Sequence, residues 1–285
     1  MNLINGRLLA DKIKDAVAKE VFDLCANPAN IKLCARRPSL AIILIGAQAD
    51  SELYVNLKQK TAGTVGIDTH LYKFADTVTE TEIIDTINFL NTDNTVDGIL
   101  IQLPLPANFD TDKIISLINP SKDVDGFSAV SLSKLTQGEI ISPVFQSVLA
   151  CLEDVKFDLK DKQVAIVAKP GIFTDSLDKL LEHLGATVTS IEPKDVGIAT
   201  AEADLLITAV GQADLINGDD IKDGAVIIDI GISQNETGKT CGDVDEASVA
   251  SIASWLTPVP GGIGPMTIAF ALKNTLNFFK KNLKK

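Results

Sequence analysis

Ser51, Tyr54, Val55 and Lys58 stand at i, i+3, i+4 and i+7, a spacing that stacks side chains along one face of a helix. A hydroxyl, an aromatic ring and an amine on one face can do chemistry. The ring offers a stacking platform, and a partly desolvated lysine has its pKa lowered, so it can give and take protons near neutrality. The plain alternative is a surface lysine beside a half-buried tyrosine, and the spacing alone favours it. A second candidate is Gln102, delivered by an apolar run that exits through Leu103-Pro104-Leu105-Pro106, either a simple strand terminator or a rigid, cis-capable turn. A third is Asp125 in Lys122-Asp123-Val124-Asp125-Gly126-Phe127. An EF-hand loop fails there because the twelfth position from Asp123 is Lys134, not glutamate. What remains is a turn, or a carboxylate able to bind an amino-pyrimidine edge through two hydrogen bonds. Finally, Thr257 to Thr267 holds three prolines and three glycines in eleven residues, including Gly262 and Pro265. Its backbone is rigid yet closely approachable, and it opens a helix whose amides can face a ligand.

The elements that position these groups follow from apolar periodicity. Leu9, Ile13, Val17, Val21 and Leu24 predict an opening amphipathic helix, and Asn27 to Pro38 a polar loop. Leu40–Ile45 is a short continuous apolar run, as in strands buried on both faces. A helix over about 51–65, a strand over 67–74, a helix opened by the capping-box spacing Thr79-Glu80-Thr81-Glu82, and a strand over 98–103 complete a β-α-β-α-β unit. Right-handed crossovers make such strands parallel. The second half repeats the rhythm: strands at 164–167, 186–191, 205–210, 225–230 and 255–256, a helix from a Thr174 cap to His183 with Gly185 beyond it, a helix over 245–253 and a final helix over 266–279. The fold class is therefore α/β with two three-layer domains, an N-terminal parallel-sheet catalytic domain and a Rossmann-like nucleotide-binding domain. We place the first at 1–142, with the 266–285 helix packing back on it, and the second at 143–265, with the helix around 145–155 as the crossing element.

Composition narrows the function. With 285 residues, 46% of them hydrophobic, and a formal charge of −12, the chain has ample core, and its acidity counts against a nucleic-acid or anionic-membrane binder, which needs a basic face. Two histidines and four cysteines without a Cys-x-x-Cys pair argue against a zinc site. Cys25, Cys34, Cys151 and Cys241 read as reduced, buried thiols of a cytoplasmic protein. The amino terminus lacks a basic start followed by an apolar run.

Tyr54-Val55-x-x-Lys58, Gln102-Leu103-Pro104-Leu105-Pro106, Lys122-Asp123-Val124-Asp125-Gly126 and the Thr257–Thr267 loop, in that order, resemble the bifunctional methylenetetrahydrofolate dehydrogenase/cyclohydrolase family, the FolD type. The likeness runs from Ile4-Asn5-Gly6 to the final helix. It implies that Lys58 is the proton-transfer group of the cyclohydrolase step, Tyr54 stacks on the folate, Gln102 tunes the lysine, Asp125 holds the pterin edge, and Ser51 supports the lysine. Gly262 and Pro265 fall to substrate binding. The resemblance also implies NADP or NAD as cofactor, tetrahydrofolate derivatives as ligands, one-carbon metabolism as the setting and a homodimer.

The second half departs from the family pattern. Where the family carries Gly-Arg-Ser and then Val-Gly-x-Pro, this chain reads Ala168-Lys169-Pro170 and Phe173-Thr174-Asp175-Ser176. Ala168 replaces a turn glycine, Pro170 offers no amide hydrogen, and Asp175 puts negative charge where pyrophosphate would meet a helix N-terminus. Pro143-Val144-Phe145-Gln146 stands for Pro-Cys-Thr-Pro, and Ser190-Ile191-Glu192-Pro193 for a Cys-His segment. An acid there favours an unphosphorylated ribose; Lys169 and Lys194 could instead pair with a 2′-phosphate, and a merely solvated Glu192 remains open. Gly211, in Val210-Gly211-Gln212, and Ile232, in Asp229-Ile230-Gly231-Ile232, keep the family pattern on the cofactor side, as does Gly242-Asp243-Val244-Asp245. Three readings follow: a bifunctional enzyme, a cyclohydrolase with a degenerate cofactor site, and a folate-binding protein without turnover, against which Lys58 speaks.

Overall fold

The computed structural model describes residues 1–26, 36–46, 48–139, 141–235 and 237–283. Along the chain these form β1 (Asn2–Leu3), α1 (Gly6–Val21), β2 (Ser39–Ile45), α2 (Ala49–Val65), β3 (Asp68–Phe74), α3 (Glu80–Thr92), β4 (Gly98–Ile101), α4 (Thr111–Ser116) and α5 (Ala129–Ser133). There follow α6 (Pro143–Asp154), β5 (Gln163–Ala168), α7 (Ile172–His183), β6 (Thr187–Ile191), α8 (Ile198–Ala201), β7 (Leu205–Ala209), β8 (Val226–Asp229), β9 (Ser233–Gln234), β10 (Thr240–Cys241), α9 (Glu246–Val249), β11 (Trp255–Leu256) and α10 (Ile263–Asn282).

The chain divides into two compact units. One comprises residues 11–134, 140–143 and 268–285 and is built on the parallel sheet β3-β2-β4. Alternation along β2 explains its layers. Leu40, Ile42 and Leu44 enter one core with Val17 of α1, Val55 and Ala62 of α2 and Leu276 of α10. Ala41, Ile43 and Ile45 enter another with Ile83, Ile87 and Leu90 of α3. A strand that feeds two cores must be apolar at every position, which is why the run lacks a polar partner at period two. Thr79 and Glu82 do form the capping box, with the Thr79 hydroxyl accepting from Glu82 N–H and the Glu82 carboxylate accepting from Thr79 N–H.

The other unit comprises residues 1–10, 135–139 and 144–267. Its six strands run in the order β1-β11-β8-β7-β5-β6, and every pairing is parallel. β5 lies between β6 and β7, so the chain reverses direction across the sheet there, the topological switch point of an open α/β sheet. Residues 1–10 belong to this unit rather than to the first domain where the sequence division places them. The reason is pairing: Asn2 sits opposite Trp255 and Leu3 opposite Leu256. A two-residue strand has no periodicity to read.

Other expectations shift as well. Helix α10 begins at Ile263, inside the Gly/Pro-rich loop, and α7 begins at Ile172 with Gly171 as its N-cap, so Thr174 lies within the first turn instead of capping it. Helix α9 spans only Glu246–Val249, and the β9–β10 hairpin was not foreseen. Cys151 and Cys241 are free thiols, but Cys25 is disulfide-bonded, against the reading of reduced thiols throughout; separation along the chain says nothing about proximity in space. Cys34 and most of the loop expected between Asn27 and Pro38 lie outside the described residues. Among the described residues no helix is long and apolar enough to cross a membrane.

Candidate active site

In the unit built on β3-β2-β4, three elements converge on Lys58. Helix α2 carries it. Val55 is buried against the sheet, which fixes the roll of the helix and leaves Ser51, buried, and Tyr54 and Lys58, half-buried, on the flanking face. Glu52 holds Lys73 of β3 in an ion pair at 2.6 Å. The exit of β4 delivers Gln102, buried, whose Oε1 accepts from Lys58 Nζ at 2.8 Å. Gln102 Nε2 donates to the carbonyl of Leu103 at 2.7 Å, so the amide is oriented with its oxygen toward the amine. The Leu103–Pro104 bond is cis.

The third element is the segment around Asp125. Ile99 N–H donates to the Lys122 carbonyl at 2.7 Å, and Val124 N–H to Ile99 O at 3.4 Å, which lays residues 122–124 alongside β4. Asp123, 1% exposed, is structural: its carboxylate accepts from Gly126 N–H at 2.9 Å and Ser128 N–H at 2.8 Å. Lys122 Nζ donates to the carbonyls of Leu90 and Asp93 at the end of α3, each at 2.7 Å. Asn274 of α10 donates to Val124 O and Ile141 O. Gly126 has φ +69°, and a Cβ there would stand 2.5 Å from Ser142 N, so only glycine passes. These supports leave Asp125 as the carboxylate of the motif that faces Lys58. The motif spacing singles out Asp125 but not Lys122 or Asn274, whose backbone partners are remote in sequence, nor Asp123, whose amides lie in its own turn.

The electrostatics match. Burial pulls the Lys58 pKa down, opposed by the charge of Asp125. Burial pushes the Asp125 carboxyl up to about 6, with Lys58 pulling it down and Asp123 pushing it up. The arrangement is a lysine able to shed its proton, a fixed acceptor on one of its hydrogens and a carboxylate able to bind a polar heterocycle.

In the six-stranded unit the expected cofactor residues gather at the carboxyl ends of the parallel strands. Ala168 closes β5, with Lys169, Pro170 and Gly171 leading into α7. Gly211 follows β7 and Ile232 follows β8; the Ile232 carbonyl lies 3.5 Å from where a Gly211 Cβ would be. The Thr174 hydroxyl donates to Lys169 O at 2.8 Å, folding the loop back on the first turn. Gly171, φ +155°, has no atom within 4 Å of its Cβ position, so its face is open to an approaching group. The first intrahelical bond, Asp175 N–H to Gly171 O, leaves the earlier amides of this turn for a ligand. Those amides and that open face fit a dinucleotide pyrophosphate despite Pro170 and Asp175.

The loop after β7 has a different task. The buried Asp243 carboxylate accepts from Thr208 Oγ1 and Val210 N–H at 2.7 Å, and from Gly211 and Gln212 N–H at 2.8 Å. Asp229 accepts from Gly231 N–H at 3.0 Å, Asp243 N–H at 3.2 Å and Val244 N–H at 3.0 Å, and burial together with the Asp243 charge pushes it up to about 7. This amide nest is filled from within, so it shapes the edge instead of gripping phosphate. Two departures from the family pattern also meet: Phe145 of α6, fully buried, packs on Phe173 of α7 with ring centroids 5.6 Å apart. Gly262 is buried and Pro265 half-buried at the start of α10. Arg7 N–H donates to Gly261 O at 3.1 Å, and Gly262 O stands 1.9 Å from where a Gly6 Cβ would be, a close backbone approach that glycine permits.

Comparisons with known proteins cover both halves. Residues 4–125 match the tetrahydrofolate dehydrogenase/cyclohydrolase catalytic domain, and residues 143–283 match the NAD(P)-binding domain of the same name. Bifunctional protein FolD of Nautilia profundicola is 41% identical over 284 residues, covering 98% of each chain. That of Sulfurovum sp. is 42% identical over 285 residues, covering 99% of each. Among solved structures, the bifunctional FolD enzyme of Campylobacter jejuni aligns with TM-score 0.90 at 36% identity over 99% of each chain. The Trypanosoma brucei FolD, solved with NADP cofactor and inhibitor, aligns with TM-score 0.90 at 30% identity, over 99% of this chain and 98% of that one. The likeness thus spans both units and the segments that carry Lys58, Gln102 and Asp125, and the chain belongs to the tetrahydrofolate dehydrogenase/cyclohydrolase family.

Proposed function

We propose that this chain oxidises 5,10-methylenetetrahydrofolate to 5,10-methenyltetrahydrofolate with NADP or NAD and hydrolyses the product to 10-formyltetrahydrofolate. The observation that carries the reading is the hydrogen bond of 2.8 Å from Lys58 Nζ to Gln102 Oε1, in a setting where burial lowers the lysine pKa. Membership of the family and the intact Tyr54, Gln102 and Asp125 support it.

Tyr54 stacks on the folate, Asp125 accepts hydrogen bonds from the amino-pyrimidine edge, and Ser51 supports the lysine's turn of α2. Gly262 and Pro265 contribute substrate-binding backbone. Ala168, Lys169, Pro170, Gly211 and Ile232 form the edge that would hold NAD(P), which would supply the hydride acceptor for the methylene carbon. The methenyl carbon is cationic and takes up water. Neutral Lys58, one hydrogen held by Gln102, has its lone pair free to accept the proton that water releases. The ammonium so formed gives that proton to N5 as the N5–carbon bond breaks, and the hydroxyl proton of the water adduct leaves to solvent as its oxygen becomes the formyl carbonyl on N10. A nearby methenyl cation disfavours the charged lysine, which keeps the amine neutral at the start of each cycle. The protein acts as a homodimer through its nucleotide-binding domain, an assignment the family resemblance carries, and in the cytoplasm, to which its kinship with bacterial FolD proteins lends support.

The test is a pair of assays on the purified chain: reduction of NAD(P) on adding methylenetetrahydrofolate, and decay of methenyltetrahydrofolate absorbance. Both activities are expected. Hydrolysis without cofactor reduction would leave a monofunctional cyclohydrolase, and neither would leave a folate-binding protein.

A further inference from the structure

The carboxyl end of β6 is where a Rossmann fold meets the adenosine ribose of a dinucleotide, and an acid there accepts from the ribose hydroxyls. Ile191 closes the strand and is buried. Glu192 follows in extended backbone, φ −71° and ψ 150°, and its carbonyl accepts from Asp195 N–H at 2.9 Å. Pro193 stiffens the turn so closed. The Glu192 side chain is exposed, and the one cation on the turn, Lys194, lies 3.2 Å from Glu192 Oε2. Asp195 adds a further negative field at Lys194. On α7, Asp178 accepts from Ser190 Oγ of β6 at 3.0 Å. The strand end therefore carries Glu192 and Asp195 against Lys194, with Asp178 held to Ser190, two residues before Glu192; Lys169 lies on the loop after β5.

We propose that Glu192 makes this chain select NAD over NADP: its carboxylate accepts from the 2′- and 3′-hydroxyls of the adenosine ribose and repels a 2′-phosphate. This rests on the dinucleotide reading above and sharpens it. Lys194 does not rescue the phosphate. An exposed ion pair is weak and easily broken, but freeing the lysine leaves the Glu192 charge on the same short turn as the incoming dianion. Lys169 is a single flexible point charge without the fork geometry that grips a phosphate.

Equilibrium calorimetry on the full chain with NAD and with NADP tests this, for the unaltered protein and for Glu192→Ala and Glu192→Gln, with thermal melting to confirm folding. NAD is expected to bind at least about tenfold more tightly than NADP at low salt, a difference of ~1.4 kcal/mol. Both variants should weaken NAD and strengthen NADP, collapsing the ratio. Because rejection is charge on charge at an exposed site, the ratio in the unaltered protein should shrink as salt rises. Equal or tighter NADP binding overturns the inference and leaves the dinucleotide reading standing. A preference for NAD that survives both variants overturns the assignment to Glu192. Binding of neither, with methenyl hydrolysis intact, overturns both readings.

Discussion

At the scale of single residues, Asp125 has two effects on catalysis that substitution can separate. Its charge raises the Lys58 pKa while burial lowers it, and in the proposed mechanism its oxygens hold the substrate. Hydrolysis needs the neutral amine, so kcat rises with pH as Lys58 loses its proton. In Asp125→Asn the opposing charge is gone and the Lys58 pKa falls further. The acidic limb of the kcat profile is then expected to move to lower pH, while KM rises about tenfold or more for a lost charged hydrogen-bond acceptor. In the unaltered protein KM should rise as pH falls through about 6, where the Asp125 carboxyl takes a proton. Stopped-flow or absorbance kinetics across pH 5–9 read both. Lys58, Gln102 and Asp125, which the structure brings together, could be picked out through the family resemblance of their motifs, since the spacing of Ser51, Tyr54, Val55 and Lys58 alone favours a plain surface lysine. Asp123 could not, since nothing in its spacing distinguishes an aspartate that binds two amides of its own turn from one that faces a ligand.

At the scale of elements, two devices shape the nucleotide edge. The first is Asp243, which gathers Thr208 and three successive amides after β7. Asp243→Asn puts an amide group against N–H donors in a buried site. It should cost about 1–3 kcal/mol in stability and weaken NAD(P) binding more than it slows methenyl hydrolysis; denaturant unfolding and calorimetry measure the two. The second is the aromatic contact between α6 and α7. Phe145→Ala and Phe173→Ala should be non-additive, with a coupling of about 0.5–1.5 kcal/mol in a double-mutant cycle read by denaturant unfolding. In the sequence, Phe145 and Phe173 read as separate departures; only packing makes them one. The same limit applies to helix starts. Thr174 has the side chain of a cap, yet its hydroxyl serves Lys169 O, and Gly171 starts the helix because the open loop before it needs that backbone freedom.

At the scale of the whole molecule, the alternation of apolar runs and amphipathic stretches made two α/β units readable, because strands buried on both faces leave long apolar runs that survive any detail of loop chemistry. That the first ten residues join the six-stranded unit was not legible in the sequence, since β1 is two residues long and its partner β11 comes near the other end of the chain. The net charge of −12 counts against polyanion partners but not against an anionic cofactor, which meets local amides and not the average field. Across both units the account turns on Lys58 as the proton carrier of hydrolysis. The most direct measurement is the rate of methenyltetrahydrofolate hydrolysis by Lys58→Met, a change that keeps the length of the side chain and removes the amine, with the melting temperature as a control for folding. A loss of about 10²–10⁴-fold in kcat is expected, with the melting temperature nearly unchanged. Hydrolysis within a few-fold of the unaltered protein would contradict that role.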